Sequence, residues 1–201
     1  MICIVDYGMG NLRSVEKAFA FLGREVMVSS DPEVLKAADG VVLPGVGAFG
    51  DAMRELDERG LADPLRESIS SGVPFLGICL GLQLLFEESE ESPGVRGLGV
   101  LPGRVVRFPS LVKVPHMGWN DIRLAGMHPA MAGIEEGSYF YFVHSYYVVP
   151  ERDEHRLTLT GYGDDFVSGV AAKNLVAFQF HPEKSSSAGL RILDNFASLC
   201  G

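Results

Sequence analysis

The first half of the chain alternates short apolar strands with amphipathic helical segments, and this alternation constrains the fold more than any other feature. Strand-like runs occur at "ICIVDYG", "EVMVSS", "GVVLPGVG" and "VPFLGIC", with helical spacing of apolar residues between them. Strands connected by helices pair in parallel through right-handed crossovers, and the helices then cover both faces of the sheet. The pattern predicts an α/β fold with a mostly parallel, doubly wound sheet. Asn11 is expected to cap the first helix, and Asp31 and Pro32 are expected to begin the second.

From Leu98 onward the chain instead reads as strands separated by turn residues, as in antiparallel hairpins. A closing helix is predicted over "SAGLRILDNFASL". No repeat, low-complexity tract or linker interrupts the sequence, and 201 residues bury one core of ordinary size. We therefore expect residues 1–201 to form a single domain. The strand-like runs of this half are "VLPGRVVRF", "GSYFYFVHSYYVV", "RLTLTGYG", "SGVAAKN" and "LVAFQF".

The charge and cysteine content exclude several classes of function. With 26 acidic and 17 basic residues the net charge is -9, which repels phosphate backbones and anionic membranes. Three scattered cysteines fit no disulfide framework, the N-terminus has no signal-peptide features, and no apolar stretch is long enough for a bilayer. We expect a soluble cytoplasmic protein without a nucleic-acid or membrane partner. Histidines and cysteines lack metal-ligand spacing, so we expect no metal and no cofactor.

Cys79 lies at a predicted junction between a strand and a helix, in the pattern G-x-C-x-G. This pattern is typical of a nucleophile elbow, whose glycines allow a crowded turn. At a helix N-terminus the dipole and free N–H groups favour the thiolate, and the amide of Leu80 is available for a developing oxyanion. The alternative is that Cys79 is a small buried hydrophobic residue, as most free cysteines are.

Two distant segments favour the nucleophile. "QFHPEKS" places His181 and Glu183 two residues apart, so both side chains point the same way if the segment is extended. A carboxylate beside an imidazole fixes its tautomer and makes it an oriented base. "PGVGAFG" ends another predicted parallel strand, either as an ordinary turn or as a source of a second oxyanion N–H at the same sheet edge. Gln83, four residues after Cys79, is expected on the same helix face.

Taken together, "GICLGLQLLFEE", "PGVGAF" and "QFHPEKS" resemble the class I glutamine amidotransferases, which use a Cys-His-Glu triad. Within that class, "YGMGNLRSV", "PHMGWN", "YFYFVHSYY" and "EESEE" resemble the glutaminase subunits of imidazole glycerol phosphate synthases. The resemblance extends from the first strand to the last helix. It implies hydrolysis of L-glutamine to glutamate and ammonia through a cysteinyl thioester.

The resemblance also implies roles for individual residues. Cys79 is then the nucleophile, His181 the general base and later the acid, and Glu183 the residue that orients the imidazole. The oxyanion donors are expected at Val46, Gly47 and Leu80. Contacts to the substrate glutamine are expected from Gln83, Glu91, Ser145 and Tyr146.

A partner is implied as well, because ammonia released into solvent becomes mostly ammonium and is lost to synthesis. The resemblance implies a heterodimer with a separate cyclase subunit, a (β/α)8 barrel, that uses the ammonia to make imidazole glycerol phosphate and an aminoimidazole carboxamide ribotide in histidine biosynthesis. Asn11, Trp119 and Lys184 are candidate interface residues. The glycines around Val46 make its peptide easy to flip, so low glutaminase activity is expected without the partner.

Other readings remain open from the residues alone. The chain is alternatively a glutaminase subunit of another synthase, such as those for anthranilate or pyridoxal phosphate. A cysteine peptidase or a stress-related chaperone on a similar α/β fold, or a catalytically silent scaffold subunit, is a further alternative. A purely structural role explains His116 and His144 as well as a functional role does. The acidic stretch from Glu87 to Glu91 is expected to be a solvated helix face, apart from Glu91.

Overall fold

The computed structural model describes residues 1–201 and contains a large mixed sheet, a separate two-stranded sheet and six α-helices. The strands in chain order are β1 (Ile2–Val5), β2 (Val26–Ser29), β3 (Gly40–Gly45), β4 (Phe75–Cys79), β5 (Glu88–Ser89), β6 (Gly103–Arg107), β7 (His116–Asp121), β8 (Arg123–Leu124), β9 (Tyr139–His144), β10 (Tyr146–Pro150), β11 (Arg156–Tyr162), β12 (Asp164–Ala172) and β13 (Leu175–Phe178). The helices are α1 (Leu12–Phe21), α2 (Pro32–Lys36), α3 (Phe49–Glu58), α4 (Ala62–Ser70), α5 (Leu80–Gln83) and α6 (Ser186–Ala197), with short 3-10 helices at Pro129–Met131, Asp153–His155 and Pro182–Lys184.

The parallel part of the large sheet has the strand order β2-β1-β3-β4-β13. Gly45 pairs with Cys79, and Ile78 pairs with Phe178. The carboxyl ends of β3, β4 and β13 therefore meet at one edge, where doubly wound sheets hold their ligands. The predicted α/β class and the parallel pairing of the first half are confirmed.

Helices cover both faces of this sheet, as predicted. On one face α1 and α6 bury Phe19 and Phe196 in a core that also includes Phe178 of β13. On the other face α2, α3 and α4 pack around Leu35 and Met53. Each core holds more than twenty buried residues, so the central strands are apolar on both sides and read as continuous hydrophobic runs.

The second half is antiparallel except where β6 pairs with β5 and β13 pairs with β4, both in parallel. The sheet continues from β13 through β12, β10 and β6, with β11 attached to β12, and β7 and β9 form the two-stranded sheet. β13 pairs antiparallel with β12 but parallel with β4, so the prediction of simple hairpins is incomplete for "LVAFQF". "GSYFYFVHSYYVV" is also not one strand, because it breaks at Ser145 and its two halves join different sheets.

Two expectations about helices are wrong. Asn11 occupies the position before α1, but its side chain makes no capping hydrogen bond. The acidic stretch is not a helix face, since α5 ends at Gln83 and β5 pairs with β6. The carboxylates of Glu87 and Glu90 instead accept hydrogen bonds from the backbone N–H groups of Gly103 and Arg107. These hydrogen bonds pair the backbone N–H groups at the two ends of β6.

The cap of α2 follows the prediction. The carboxylate of Asp31 accepts a hydrogen bond from the backbone N–H of Glu33 at 2.9 Å, and Pro32 occupies the first turn. None of the helices combines the length and the apolar character needed to cross a membrane.

Candidate active site

A cavity of about 360 Å³ lies at the carboxyl edge of β3 and β4. It is open to solvent on one side, and residues from five separate stretches of the chain meet in it. Every predicted oxyanion and substrate residue contributes to its wall, together with Cys79. The lining residues are Val46, Gly47, Cys79, Leu80, Gln83, Glu91, Pro115, Val143, His144, Ser145 and Tyr146.

Cys79 stands at the sharp turn between β4 and α5. Its backbone has φ 54° and ψ -109°, a conformation that residues with a side chain rarely adopt, and its side chain is buried. Gly81 makes the turn possible, because a Cβ atom there would overlap the carbonyl oxygen of Leu43. The predicted elbow is therefore confirmed as a backbone feature, with the first N–H groups of α5 directly after the sulfur-bearing residue.

His181 and Glu183 form a buried pair beside this turn. The imidazole Nδ1–H of His181 donates to Glu183 Oε1 at 2.8 Å, and the two side chains are 3% and 2% exposed. The segment is not extended as expected, since His181 precedes the 3-10 helix Pro182–Lys184. The tight turn brings the carboxylate back under the ring. The predicted contact is present, but the geometry that produces it differs from the prediction.

The protonation of His181 depends on its surroundings. Burial lowers the pKa of His181, but the neighbouring Cys79 thiolate and the Glu183 carboxylate outweigh burial and raise that pKa to about 10. The Nε2 atom of His181 is buried and has no hydrogen-bond partner within the chain. The raised pKa favours the protonated imidazolium form of His181, whose Nε2–H is available to a group bound in the cavity.

Gln83 and Tyr146 are connected within the cavity wall. Gln83 is 5% exposed, and its Nε2 donates both to the backbone carbonyl of Tyr146 and to Gln179 Oε1, at 3.1 Å each. Glu91 reaches the start of α3, where its Oε2 accepts a hydrogen bond from the Phe49 N–H at 2.8 Å. A carboxylate therefore lies on the cavity wall in a fixed position.

The predicted interface residues lie around the cavity and do not line it. Asn11 and Lys184 are exposed, and Trp119 is 52% exposed on β7. The turn before Asn11 packs on the predicted oxyanion turn, since Gly10 approaches the backbone of Gly45. Lys184 ends the 3-10 helix that carries Glu183.

Sequence reasoning missed two supporting residues. Ser185 Oγ donates to the His181 carbonyl and accepts from the Tyr141 N–H, which ties the histidine to β9. Gln179 Nε2 donates to Cys79 Sγ at 3.7 Å. Neither position shows a local sequence signal, because each partner is distant in the chain or is a backbone atom. No group of three or more histidine, cysteine, aspartate or glutamate side chains is arranged to hold a metal ion.

His116 and His144 are buried structural histidines that hydrogen-bond to each other at 2.9 Å. His144 Nδ1 donates to the Tyr146 carbonyl at 2.8 Å, so its Nε2 must accept from His116 Nδ1–H. Burial lowers the pKa of His144 to about 3 and the pKa of His116 to about 4. Both rings are therefore neutral at ordinary pH and hold one wall of the cavity in place.

The fold and the site together define a class of protein. The model of the family "Glutamine amidotransferase class-I" matches residues 3–199. A crystal structure described as a glutamine amidotransferase shares the fold over 100% of both chains with a TM-score of 0.75 at 24% sequence identity. PurLQS from Thermotoga maritima shares it over 98% of this chain and 97% of that one, with a TM-score of 0.74 at 20% identity. The chain belongs to the class-I glutamine amidotransferases.

Much closer relatives refine this assignment within the class. The imidazole glycerol phosphate synthase subunit HisH of Aquifex aeolicus (strain VF5) is 55% identical over 194 residues, which cover 96% of this chain and 94% of the relative. HisH of Methanothermobacter thermautotrophicus is 52% identical over 199 residues, 99% of this chain and 98% of the relative. These relatives place the chain in the HisH family, as the sequence motifs predicted.

Proposed function

We propose that this protein hydrolyses L-glutamine to glutamate and ammonia as the glutaminase subunit of an imidazole glycerol phosphate synthase in histidine biosynthesis. The observation that carries the proposal is the buried His181–Glu183 pair beside Cys79 at a strained elbow. A nucleophile, a base and a group that orients the base are the minimum set for acyl transfer without a metal. Kinship with HisH supplies the pathway.

The first half of the reaction is acylation of Cys79. Its thiolate attacks the carbon of the substrate's side-chain amide, a C–S bond forms, and the carbonyl electrons move to oxygen. The N–H of Leu80 and a backbone N–H of the turn at Val46 and Gly47 hold this oxyanion. The oxyanion then collapses, the C–N bond breaks, and His181 gives its Nε2 proton to the departing nitrogen. Ammonia leaves and a glutamyl thioester remains.

The second half is hydrolysis of the thioester. Neutral His181 now takes a proton from water while the oxygen attacks the thioester carbon, and the same N–H groups hold the second oxyanion. The C–S bond breaks, glutamate leaves, and Cys79 is again a thiolate beside an imidazolium. The Glu183 carboxylate stabilises the charged ring, and together with the Cys79 thiolate it raises the pKa of His181 to about 10.

The cavity wall supplies groups for an amino-acid substrate. Glu91 offers a carboxylate to the substrate's ammonium group, and Ser145 and Tyr146 also line the cavity. Both N–H groups of the Gln83 amide donate to acceptors within the protein, so its Oε1 is the atom available to the substrate. A cavity of about 360 Å³ is large enough for an amino acid.

A surface for the cyclase lies directly beside the cavity. The outward face of the β7–β9 sheet carries Met117, Trp119, Tyr139 and Tyr141, and the first three are 62%, 52% and 59% exposed. In β9 of the same sheet, the backbone carbonyl of Val143 lies 3.9 Å from Cys79 Sγ. Apolar aromatic side chains that are exposed together mark interaction surfaces. A partner docked there would cover the route by which ammonia leaves.

The remaining parts of the proposal follow from this role. We place the chain in the cytoplasm as one domain, residues 1–201, that forms a heterodimer with a separate (β/α)8-barrel cyclase. Asn11, Trp119 and Lys184 contact the cyclase. In that complex the hydrolase activity of this chain feeds the lyase activity of the synthase.

Affinity labelling tests the catalytic part of the proposal. A glutamine-like diazo-ketone should alkylate Cys79 selectively, and excess glutamine should protect it, because the reagent enters through the substrate site. Peptide mass spectrometry locates the label. Cys200→Ala removes a thiol that lies outside the cavity and is the matched control, which should be labelled like the wild type. Labelling spread over Cys3, Cys79 and Cys200 without glutamine protection would contradict the proposed site.

Co-purification from the source lysate tests the partner. We expect the tagged chain to retain a barrel-type cyclase, and Trp119→Ala to reduce the recovered amount by about tenfold or more, as for a central tryptophan anchor. Met127→Ala is the matched control, since Met127 is 98% exposed and lies away from the β7–β9 face. Equal loss in both variants would show that this face is not the docking surface.

A further inference from the structure

Gln179 is a fully buried polar side chain at the edge of the active site, and no part of the mechanism above uses it. It directly follows β13, whose last residue, Phe178, pairs with Ile78 of β4. The parallel register therefore sets Gln179 beside Cys79. Its Nε2 donates to Cys79 Sγ at 3.7 Å, and its Oε1 accepts from Gln83 Nε2 at 3.1 Å.

The direction of these hydrogen bonds is fixed by one backbone carbonyl. The Tyr146 carbonyl only accepts, so the nitrogen of the Gln83 amide must face it. The second N–H of the same nitrogen then points to Gln179, which must accept with its oxygen. The nitrogen of the Gln179 amide is thereby turned toward Cys79. A flipped Gln179 would set two N–H groups against each other and turn the amide oxygen toward the sulfur in place of this donor.

The same carbonyl is held from its other side. His144 Nδ1 donates to it at 2.8 Å, His116 donates to His144, and Asn120 Nδ2 donates to His116 Nε2 at 3.2 Å. Both lone pairs of the Tyr146 oxygen are thus occupied by buried donors. These hydrogen bonds hold the Tyr146 carbonyl in place, and through Gln83 they also fix the orientation of the Gln179 amide.

We infer that Gln179 is a positioning residue that holds the sulfur of Cys79 in its attacking position and stabilises it as a thiolate through the Nε2–H donor. A hydrogen bond to a charged acceptor is about twice as strong as one to a neutral acceptor, so the donor favours thiolate over thiol. Gln179 does not touch the substrate and is not among the residues that line the cavity. The inference rests on the proposed function, since a thiolate nucleophile is its premise.

Two substitutions separate the roles of the two ends of the amide. Gln179→Glu keeps an oxygen for Gln83 but replaces the N–H donor by a carboxylate oxygen that repels the thiolate. Gln179→Leu removes both hydrogen bonds and is the second variant if the glutamate variant folds poorly. Thr160→Val is the matched control, because it removes a different buried hydrogen bond, from Thr160 Oγ1 to Ser168 Oγ, away from the cavity.

The measurement is the rate of alkylation of Cys79 by iodoacetamide as a function of pH, with kcat and KM for glutamine determined on the complex with its partner. For Gln179→Glu we expect alkylation at pH 7 to slow by about 10- to 100-fold, the loss typical of one hydrogen bond to a charged group. The pH profile should move to higher pH, kcat should fall with little change in KM, and thermal unfolding of the folded variants should stay close to wild type. Thr160→Val should match the wild type in alkylation.

The outcomes distinguish this inference from the proposed function. If both Gln179 variants show the wild-type alkylation rate and pH profile, the inference is overturned while the role of Cys79 stands. If Cys79→Ala still releases glutamate at the wild-type rate, the proposed function itself fails. A loss of alkylation shared by Thr160→Val would show a general packing defect and would also overturn the inference.

Discussion

Replacing Cys79 by glycine should leave a more stable protein than replacing it by alanine, the reverse of the usual order. At φ 54° and ψ -109° a Cβ atom is strained, and such backbone conformations cost about 1–3 kcal/mol. Glycine relieves this strain but loses about 0.5–1 kcal/mol more conformational entropy than alanine. Since both variants lack the sulfur, the difference isolates the backbone. We expect Cys79→Gly to exceed Cys79→Ala by about 1 kcal/mol in the free energy of unfolding.

The assay is urea unfolding of both variants, with Cys3 as a matched control. Cys3 is a buried cysteine inside β1 and is not among the residues with positive φ. There, alanine should be more stable than glycine by about 0.5–1 kcal/mol. If alanine is also the more stable replacement at Cys79, by the same margin as at Cys3, the elbow is not strained in solution and the reasoning is wrong.

Two further predictions concern packing and pH. Gly81→Ala should destabilise the protein by about 1–3 kcal/mol or more in urea unfolding, because the added Cβ would overlap the Leu43 carbonyl. Gly161→Ala is the control and should be nearly neutral, because there is room for a Cβ at that position. Equal effects of the two substitutions would contradict this prediction. In the folded protein the pKa of His116 is lowered to about 4 and the pKa of His144 to about 3. Below about pH 6.5 both histidines bind protons in the unfolded chain but stay neutral in the folded protein, so the free energy of unfolding should decrease as the pH falls. The slope should be about 1.4 kcal/mol per pH unit for each histidine, and a variant with glutamine at both positions should lack it; an equally steep slope in that variant would refute the assignment.

The parallel half of the fold could be predicted because its signals are local. Periodicity defines each strand and helix, and parallel strands put their carboxyl ends at one edge. That rule alone brings the "PGVG" turn to Cys79, as the pairing of Gly45 with Cys79 confirms. The role of β13 was harder to predict, because nothing in "LVAFQF" indicates that one of its edges pairs parallel and the other antiparallel.

The features that the sequence did not reveal depend on distant partners. Glu183 reaches His181 through a 3-10 turn, whereas period-two reasoning predicts the contact for a different backbone. Gln179 reads as one polar residue in an apolar run, and its partner Gln83 is 96 positions away in the chain. The acidic stretch from Glu87 to Glu91 has the local pattern of a solvated helix, and its hydrogen-bond partners on β6 lie 16 and 17 residues further along the chain.

The central claim is that the sulfur of Cys79 forms the covalent intermediate of glutamine hydrolysis. The direct measurement is acid quenching of the complex during turnover, followed by mass spectrometry of the peptide that contains Cys79. We expect added mass equal to one glutamyl group on Cys79, and none in Cys79→Ala, which should release no glutamate. Glutamate release by Cys79→Ala, or a glutamyl group found on a different residue, would contradict it.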